Sequence, residues 1–165
     1  MSICTKLKTF LDDHRVRYVV TTHSPAFTSQ EIAASAHIRG KNLVKCVMVK
    51  GDGRHYMVAM TANQRLNLDW LRGALGLHTV RLESEEDFRP LFGDCEVGAM
   101  PPFGNLYGIP VVVDAEVYED DEIAFNGGNH TSVVKMAFDD FDRLVQPTKA
   151  VVAMPQTSRH TSVGA

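Results

Sequence analysis

At 165 residues, 44% of them hydrophobic and 22% charged, the chain is sized for one soluble domain that buries its own core. Three widely spaced cysteines argue against a disulfide framework or a structural zinc site and fit a reducing cytoplasm. No stretch approaches the ~20 apolar residues that span a bilayer, and the charged N-terminus does not read as a signal peptide.

The net charge of −3 hides an asymmetry: residues 1–81 carry 12 Lys and Arg against 5 Asp and Glu, and residues 82–165 carry 5 against 15. A basic first half permits a face that meets phosphates, unless folding interleaves the halves and cancels the field.

Along residues 2–15, Ile3, Leu7, Phe10 and Leu11 recur at helical spacing, which predicts a surface helix. "RYVVTTH" (17–23) is a β-rich run. "TSQE" (28–31) matches a capping box, with Thr28 accepting from the backbone and Glu31 reaching back, and opens a helix that ends near Gly40. "LVKCVMVK" (43–50) and "RHYMVAM" (54–60) flank "GDG" (51–53), a hairpin signal. "NLDWLRGALG" (67–76) is a short helix stopped by Gly76, and Ser84 followed by acids suits the start of another. "CEVGAMPPFGNLYG" (95–108), dense in Gly and Pro, is an irregular loop. "IPVVVD" (109–114) is a strand with two buried faces. "EIAF" (122–125) and "TSVVKMAF" (131–138) are strands around the turn "NGGN" (126–129), and "DDFDRLV" (139–145) is a last helix. Residues 146–165 read as a polar, disordered tail. Mixed strands and helices without strict βαβ alternation predict one α+β domain over residues 1–145, a mixed, barrel-like sheet with helices packed outside.

Within the most apolar of these runs sits Lys45, which shares a strand face with Leu43, Val47 and Val49. A buried ammonium without a partner costs several kcal/mol, roughly, unless its pKa falls. Either the stem reaches out to water, which the strand alone favours, or the amine points into a cavity that receives an anion. The loop "GAMPPFG" (98–104) fixes backbone shape with two prolines and two glycines and lets a ligand approach, although Gly/Pro clusters also serve as plain connections. His130, after the Gly-rich turn, could exchange protons near neutral pH, but alone it carries little weight. No nucleophile elbow, phosphate loop, HExxH or dinucleotide fingerprint occurs, and metal ligands at paired spacing are missing. Cys46 faces opposite to Lys45 and reads as a small core residue.

Taken in order, "SPAFTSQEIA", the lysine of "LVKCVMV", the G-x-x-x-P loop "GAMPP" with "FGNLYGIPVVVD", and "FNGGNH" resemble the YbaK/prolyl-tRNA synthetase editing-domain family over residues 2–145. The resemblance implies that fold, a pocket for the 3′-terminal aminoacyl-adenosine, and hydrolysis of the ester joining a wrong amino acid to tRNA, usually tRNA-Pro. It implies catalytic roles for Lys45, Gly98 and His130, with Ala99, Met100, Pro101 and Pro102 in the loop that positions the carbonyl and the water. Asn129 joins the substrate-binding set, and Phe27, Thr28, Met60 and Thr61 are candidate walls that sense side-chain size. No cofactor or metal is implied. The expected partners are the acceptor end of aminoacyl-tRNA and an aminoacyl-tRNA synthetase. Two other classes fit the same residues: a non-catalytic module that binds tRNA ends or a synthetase, and a thiol-dependent hydrolase using Cys46 or Cys95.

Overall fold

The hairpin signalled by "GDG" forms the middle of the sheet in the computed structural model, which describes residues 3–24, 31–32 and 42–156. Strands β2 (Leu43–Gly51) and β3 (Arg54–Thr61) pair antiparallel, from Val44 opposite Thr61 to Gly51 opposite Arg54. Asp52 and Gly53 turn the chain with φ of 49° and 82°. The Asp52 carboxylate also accepts the amides of His78 and Thr79, tying the turn to β5 (Val80–Leu82).

The remaining strands are β1 (Tyr18–Thr22), β4 (Gln64–Leu66), β6 (Val111–Asp114), β7 (Glu122–Asn126), β8 (Ser132–Ala137), β9 (Thr148–Ala150) and β10 (Ala153–Pro155). The eight-stranded sheet runs β1-β8-β7-β2-β3-β6-β9, with β5 also pairing β2; β4 and β10 make a separate two-stranded ribbon. The β2/β7, β3/β6 and β6/β9 pairs are parallel and the others antiparallel, so the sheet is mixed, as expected.

One feature of this topology matters for the site. Strand β2 shares a single edge between two partners: β7 takes Leu43 and Val44, and β5 takes Val49 to Gly51. Lys45 lies in the fork between them.

Helices cover both faces. Helix α1 (Thr5–Asp13) buries Leu7 and Leu11, and an ion pair of 2.6 Å joins Lys8 to Asp12 one turn on. Helix α2 (Leu68–Leu75) is capped by Asn67, whose side chain accepts the Trp70 amide, and ends at Gly76 with φ 65°. Helix α3 (Glu85–Phe88) has a full capping box between Ser84 and Asp87, and α4 (Phe138–Val145) buries Phe138, Phe141 and Val145.

On one face Val44, Met48, Ala59 and Phe125 meet α1 and α4, around Phe103 at ring distances of 5.4 Å from Phe141 and 5.5 Å from Phe125. On the other, Val49, Val58, Met60 and Val112 meet Leu71 of α2, and Leu43, Ala124 and Val133 form a smaller cluster with Ile32 and Ala62. Strand β6 is buried on both faces.

The expectation of a disordered tail fails for residues 148–155. Strand β9 extends the sheet beside β6, β10 pairs β4, and Val152 is fully buried between them. The physical reason is Asp114, a buried carboxylate at the end of β6. Its Oδ1 accepts the amides of Val152 and Ala153, and its Oδ2 accepts Gln64 Nε2 and the Glu116 amide, all at 2.9 Å. A buried charge needs such partners, and the tail supplies two of the four.

Candidate functional site

The Gly-rich turn and the Gly/Pro loop, far apart in sequence, form one unit. Between β7 and β8 the chain turns through Gly127 and Gly128, where Gly128 has φ 100° and a Cβ would lie 2.7 Å from Cys4 Cβ. Only glycine lets this turn press against the start of α1, where the Cys4 amide donates to Gly127 O at 2.8 Å. The 96–99 segment then docks alongside. The Glu96 amide donates to Gly128 O (2.8 Å), and the Gly128 amide to Ala99 O (3.0 Å).

His130 is fixed at both ends of its residue. Its amide donates to Glu96 Oε1 at 2.7 Å, and its ring Nε2 lies 2.8 Å from Val97 O. A carbonyl only accepts, so Nε2 carries the proton and Nδ1 of the neutral ring is left as an acceptor. The ring stands over Gly98, where an added Cβ would meet His130 Cε1 at 3.5 Å. Gly98 itself has φ 85°, a left-handed conformation that exposes its backbone. Among the described residues, nothing accepts a hydrogen bond from its N–H.

Lys45 approaches this unit from the sheet. The parallel β2/β7 pairing sets Leu43 beside Ala124 and Val44 beside Phe125 and ends there, so Lys45 is the first β2 residue past the ladder and Asn126, which precedes Gly127, the first past it on β7. By strand alternation Lys45 lies on the β2 face that carries Leu43, the face that packs against Ala124. Lys45 is half-buried, makes no hydrogen bond or ion pair with the described residues, and has its pKa lowered from 10.5 because burial penalises the ammonium.

The other expected wall residues divide. Met60 and Thr61 are buried, with Met60 on the Lys45 face packed among Val49, Val58 and Leu71. Ala99, Met100, Pro101 and Pro102 are buried too, but Met100 belongs to the core cluster of the opposite face. Asn129 Oδ1 accepts from the Thr131 amide and hydroxyl, both at 3.0 Å, which shapes the turn. Phe27 and Thr28 lie outside the described residues.

Two residues that the motifs did not single out join the arrangement: Glu96, which pins His130, and buried His23, whose amide donates to Thr131 O at 2.8 Å. A lone Glu or His in a sequence gives no signal of such a position.

The two thiols of the thiol-hydrolase reading, Cys46 and Cys95, are poorly suited to nucleophilic attack. Cys46 packs against the core and burial pushes it up to about 12, and Cys95 is raised chiefly by its hydrogen bond with Cys4. Among the described residues, no helix is long and apolar enough to cross a membrane.

Comparison with known proteins adds an independent line. The model of the aminoacyl-tRNA editing domain family matches residues 23–144. The prolyl-tRNA editing protein ProX of Acetoanaerobium sticklandii is 23% identical over 142 residues, covering 82% of this chain and 86% of its own. The proline–tRNA ligase of Bacillus mycoides is 26% identical over 88 residues, 53% of this chain but 15% of the ligase. Among solved structures, a protein proposed as a trans-editing enzyme for prolyl-tRNA synthetase superposes with a TM-score of 0.79 at 19% identity, covering 90% of this chain and 95% of that one. A hypothetical protein gives the same TM-score at 22% identity, covering 90% and 99%. At these identities the two structures speak for the fold.

Proposed function

Because the chain belongs to the aminoacyl-tRNA editing-domain family, we propose that it acts in trans as an aminoacyl-tRNA deacylase, on tRNA-Pro carrying a small wrong amino acid such as Ala, Ser, Thr or Cys. Water attacks the ester carbonyl, the bond from that carbon to the ribose oxygen breaks, and free amino acid and tRNA with its terminal hydroxyl are released. Such a second site is needed because a synthetase pocket discriminates poorly between amino acids that differ by a methylene or a hydroxyl.

The observation that carries this reading is Lys45: a half-buried ammonium without a partner among the described residues, in the fork between β7 and β5 and beside the strand that leads into the Gly98–His130 unit. A terminal phosphate, or the polar end of the aminoacyl group, supplies the anion or dipole that the lysine lacks. In this reading the Gly98 N–H, which has no acceptor among the described residues, donates to the developing oxyanion, an interaction worth about 2.7–4 kcal/mol of barrier where it has been measured. His130 Nδ1 can accept from the attacking water while Glu96 and Val97 hold the ring. Pro101 and Pro102 keep the loop in one shape, so little is lost in ordering it when the substrate arrives. The protein meets its substrate in the cytoplasm, with prolyl-tRNA synthetase as the partner whose errors it corrects.

The test is a panel of one tRNA-Pro charged in turn with Ala, Ser, Thr and Cys. Release of free amino acid from at least one member above the spontaneous rate supports the reading. Binding of tRNA without release from any member overturns it in favour of a non-catalytic module.

A further inference from the structure

A second set of donors converges at the start of α1, on the far side of the Gly127–Gly128 turn from the lysine. Cys4 is the N-cap of α1, and Asp94 and Cys95 lie on the loop after the 3-10 turn Arg89–Leu91. The two Sγ atoms are 4.0 Å apart although the cysteines are 91 residues apart in sequence. Cys95 Sγ is 3.7 Å from Asp94 Oδ1, and one ligand atom from each of the three residues falls within 4.8 Å of the others.

These spacings can be compared with what a tetrahedral cation imposes. With sulfur at about 2.3 Å and oxygen at about 2.0 Å from zinc, two sulfurs stand about 3.8 Å apart and a sulfur and an oxygen about 3.5 Å apart. The Cys4–Cys95 and Cys95–Asp94 separations exceed these by about 0.2 Å, and the Cys4 and Asp94 ligand atoms lie within 4.8 Å of each other, so side-chain rotation must bring the third ligand in. A disulfide would require the sulfurs to close to about 2.05 Å, with an oxidant to take the electrons.

Two further features fit a ligand. The three side chains line a cleft of about 450 Å³, with Glu96, Gly128 and Asn129 on its other walls, so a water can complete the coordination. The Tyr107 hydroxyl is 2.9 Å from Asp94 Oδ1 and 3.3 Å from Cys95 Sγ, the kind of outer hydrogen bond that orients a ligating carboxylate.

We propose that Cys4, Asp94 and Cys95 bind one thiophilic divalent cation of the zinc class, with Tyr107 holding the carboxylate in place. The bound cation ties the first turn of α1 to the loop whose next residues, Glu96 and Val97, hold His130. Binding displaces the thiol protons. This site stands apart from the deacylase reading, and its test reads the metal rather than hydrolysis.

The experiment titrates cobalt(II) chloride into the full chain, reduced and freed of metal with a chelator. The expected result is one equivalent bound, with a thiolate-to-cobalt charge-transfer band and the intense visible bands of tetrahedral cobalt, both removed by added zinc. Cys95→Ser abolishes the charge-transfer band or reduces it to that of a single thiolate, Cys46→Ser leaves it unchanged, and Tyr107→Phe weakens affinity by roughly 10–100-fold. Wild-type protein without a charge-transfer band overturns the proposal, as does a full band that survives Cys95→Ser. Should Cys95→Ser fail to fold, Asp94→Asn decides, because that side chain is exposed. Cobalt affinity unchanged in folded Asp94→Asn protein also overturns it.

Discussion

Replacing Asp114 by alanine removes the acceptor that holds the C-terminal strands in the fold. In the native structure its two oxygens take four hydrogen bonds at 2.9 Å, from Val152, Ala153, Gln64 and Glu116. After truncation the buried amides of Val152 and Ala153 have no partner, and each such group costs about 1–3 kcal/mol. Losing the Gln64 bond adds to this, whereas the Glu116 amide, at the start of an external turn, can bond to water. The two amides alone sum to about 2–6 kcal/mol, a large part of the 5–15 kcal/mol that keeps a typical domain folded. Asp114→Asn should cost less, because its oxygen can still serve Val152 and Ala153 while its amide confronts the donors of Gln64 and Glu116. Guanidinium unfolding followed by circular dichroism measures both, and hydrogen exchange at Val152 and Ala153 localises the change. A loss below about 1 kcal/mol for the alanine variant, with those two amides still protected, would refute the assignment of Asp114 as the clasp.

Gly128→Ala forces a Cβ into the 2.7 Å approach to Cys4 at φ 100°, so thermal unfolding should register a loss of about 1–3 kcal/mol, and the deacylation rate should fall with it because the turn carries His130. Cys46→Ser protein should deacylate at the wild-type rate, and iodoacetamide should leave the activity of wild-type protein intact; inactivation in step with Cys46 alkylation would restore the thiol mechanism. Asp87 is held at about 2, below its ordinary 3.8, first by the Ser84 amide and then by Arg81. A folded-state value below the unfolded one adds stability above pH 3.8 that is lost as pH falls through about 2, so Asp87→Asn should flatten the acid-unfolding curve across that window. Equal slopes for the two proteins would contradict it.

Much of the fold was legible because local signals agreed with tertiary packing. "GDG" with apolar runs on both sides gave the central hairpin, Asn67 and Gly76 bracketed α2, and the all-apolar 111–113 run became a strand buried on both faces. The three-residue strands β4, β5, β9 and β10 were not legible, since so short a run has no periodicity to detect. Strands β9 and β10 depend on Asp114, whose need for partners appears only once β6 is buried. At the candidate site, Lys45 stood out as a charge in an apolar run, whereas Gly98 and His130 carried little weight until the ordered motifs resembled the editing-domain family. Glu96 owes its place to a loop docking that no short window encodes, and the Cys4–Cys95 approach spans 91 residues.

The central claim of this reading is that the ammonium of Lys45 receives the terminal phosphate or the polar end of the aminoacyl group and so holds the ester where water attacks it. Lys45→Met keeps the apolar stem and removes the charge, so the protein should fold with unchanged or raised thermal stability, since the native ammonium is already penalised by burial. The measurement is kcat/KM for deacylation of the best substrate in the tRNA-Pro panel, with spontaneous hydrolysis subtracted. A loss of one interaction worth about 2.7 kcal/mol or more corresponds to roughly a 100-fold fall, and that fall is the predicted result. A folded Lys45→Met protein that deacylates within twofold of wild type would contradict the account.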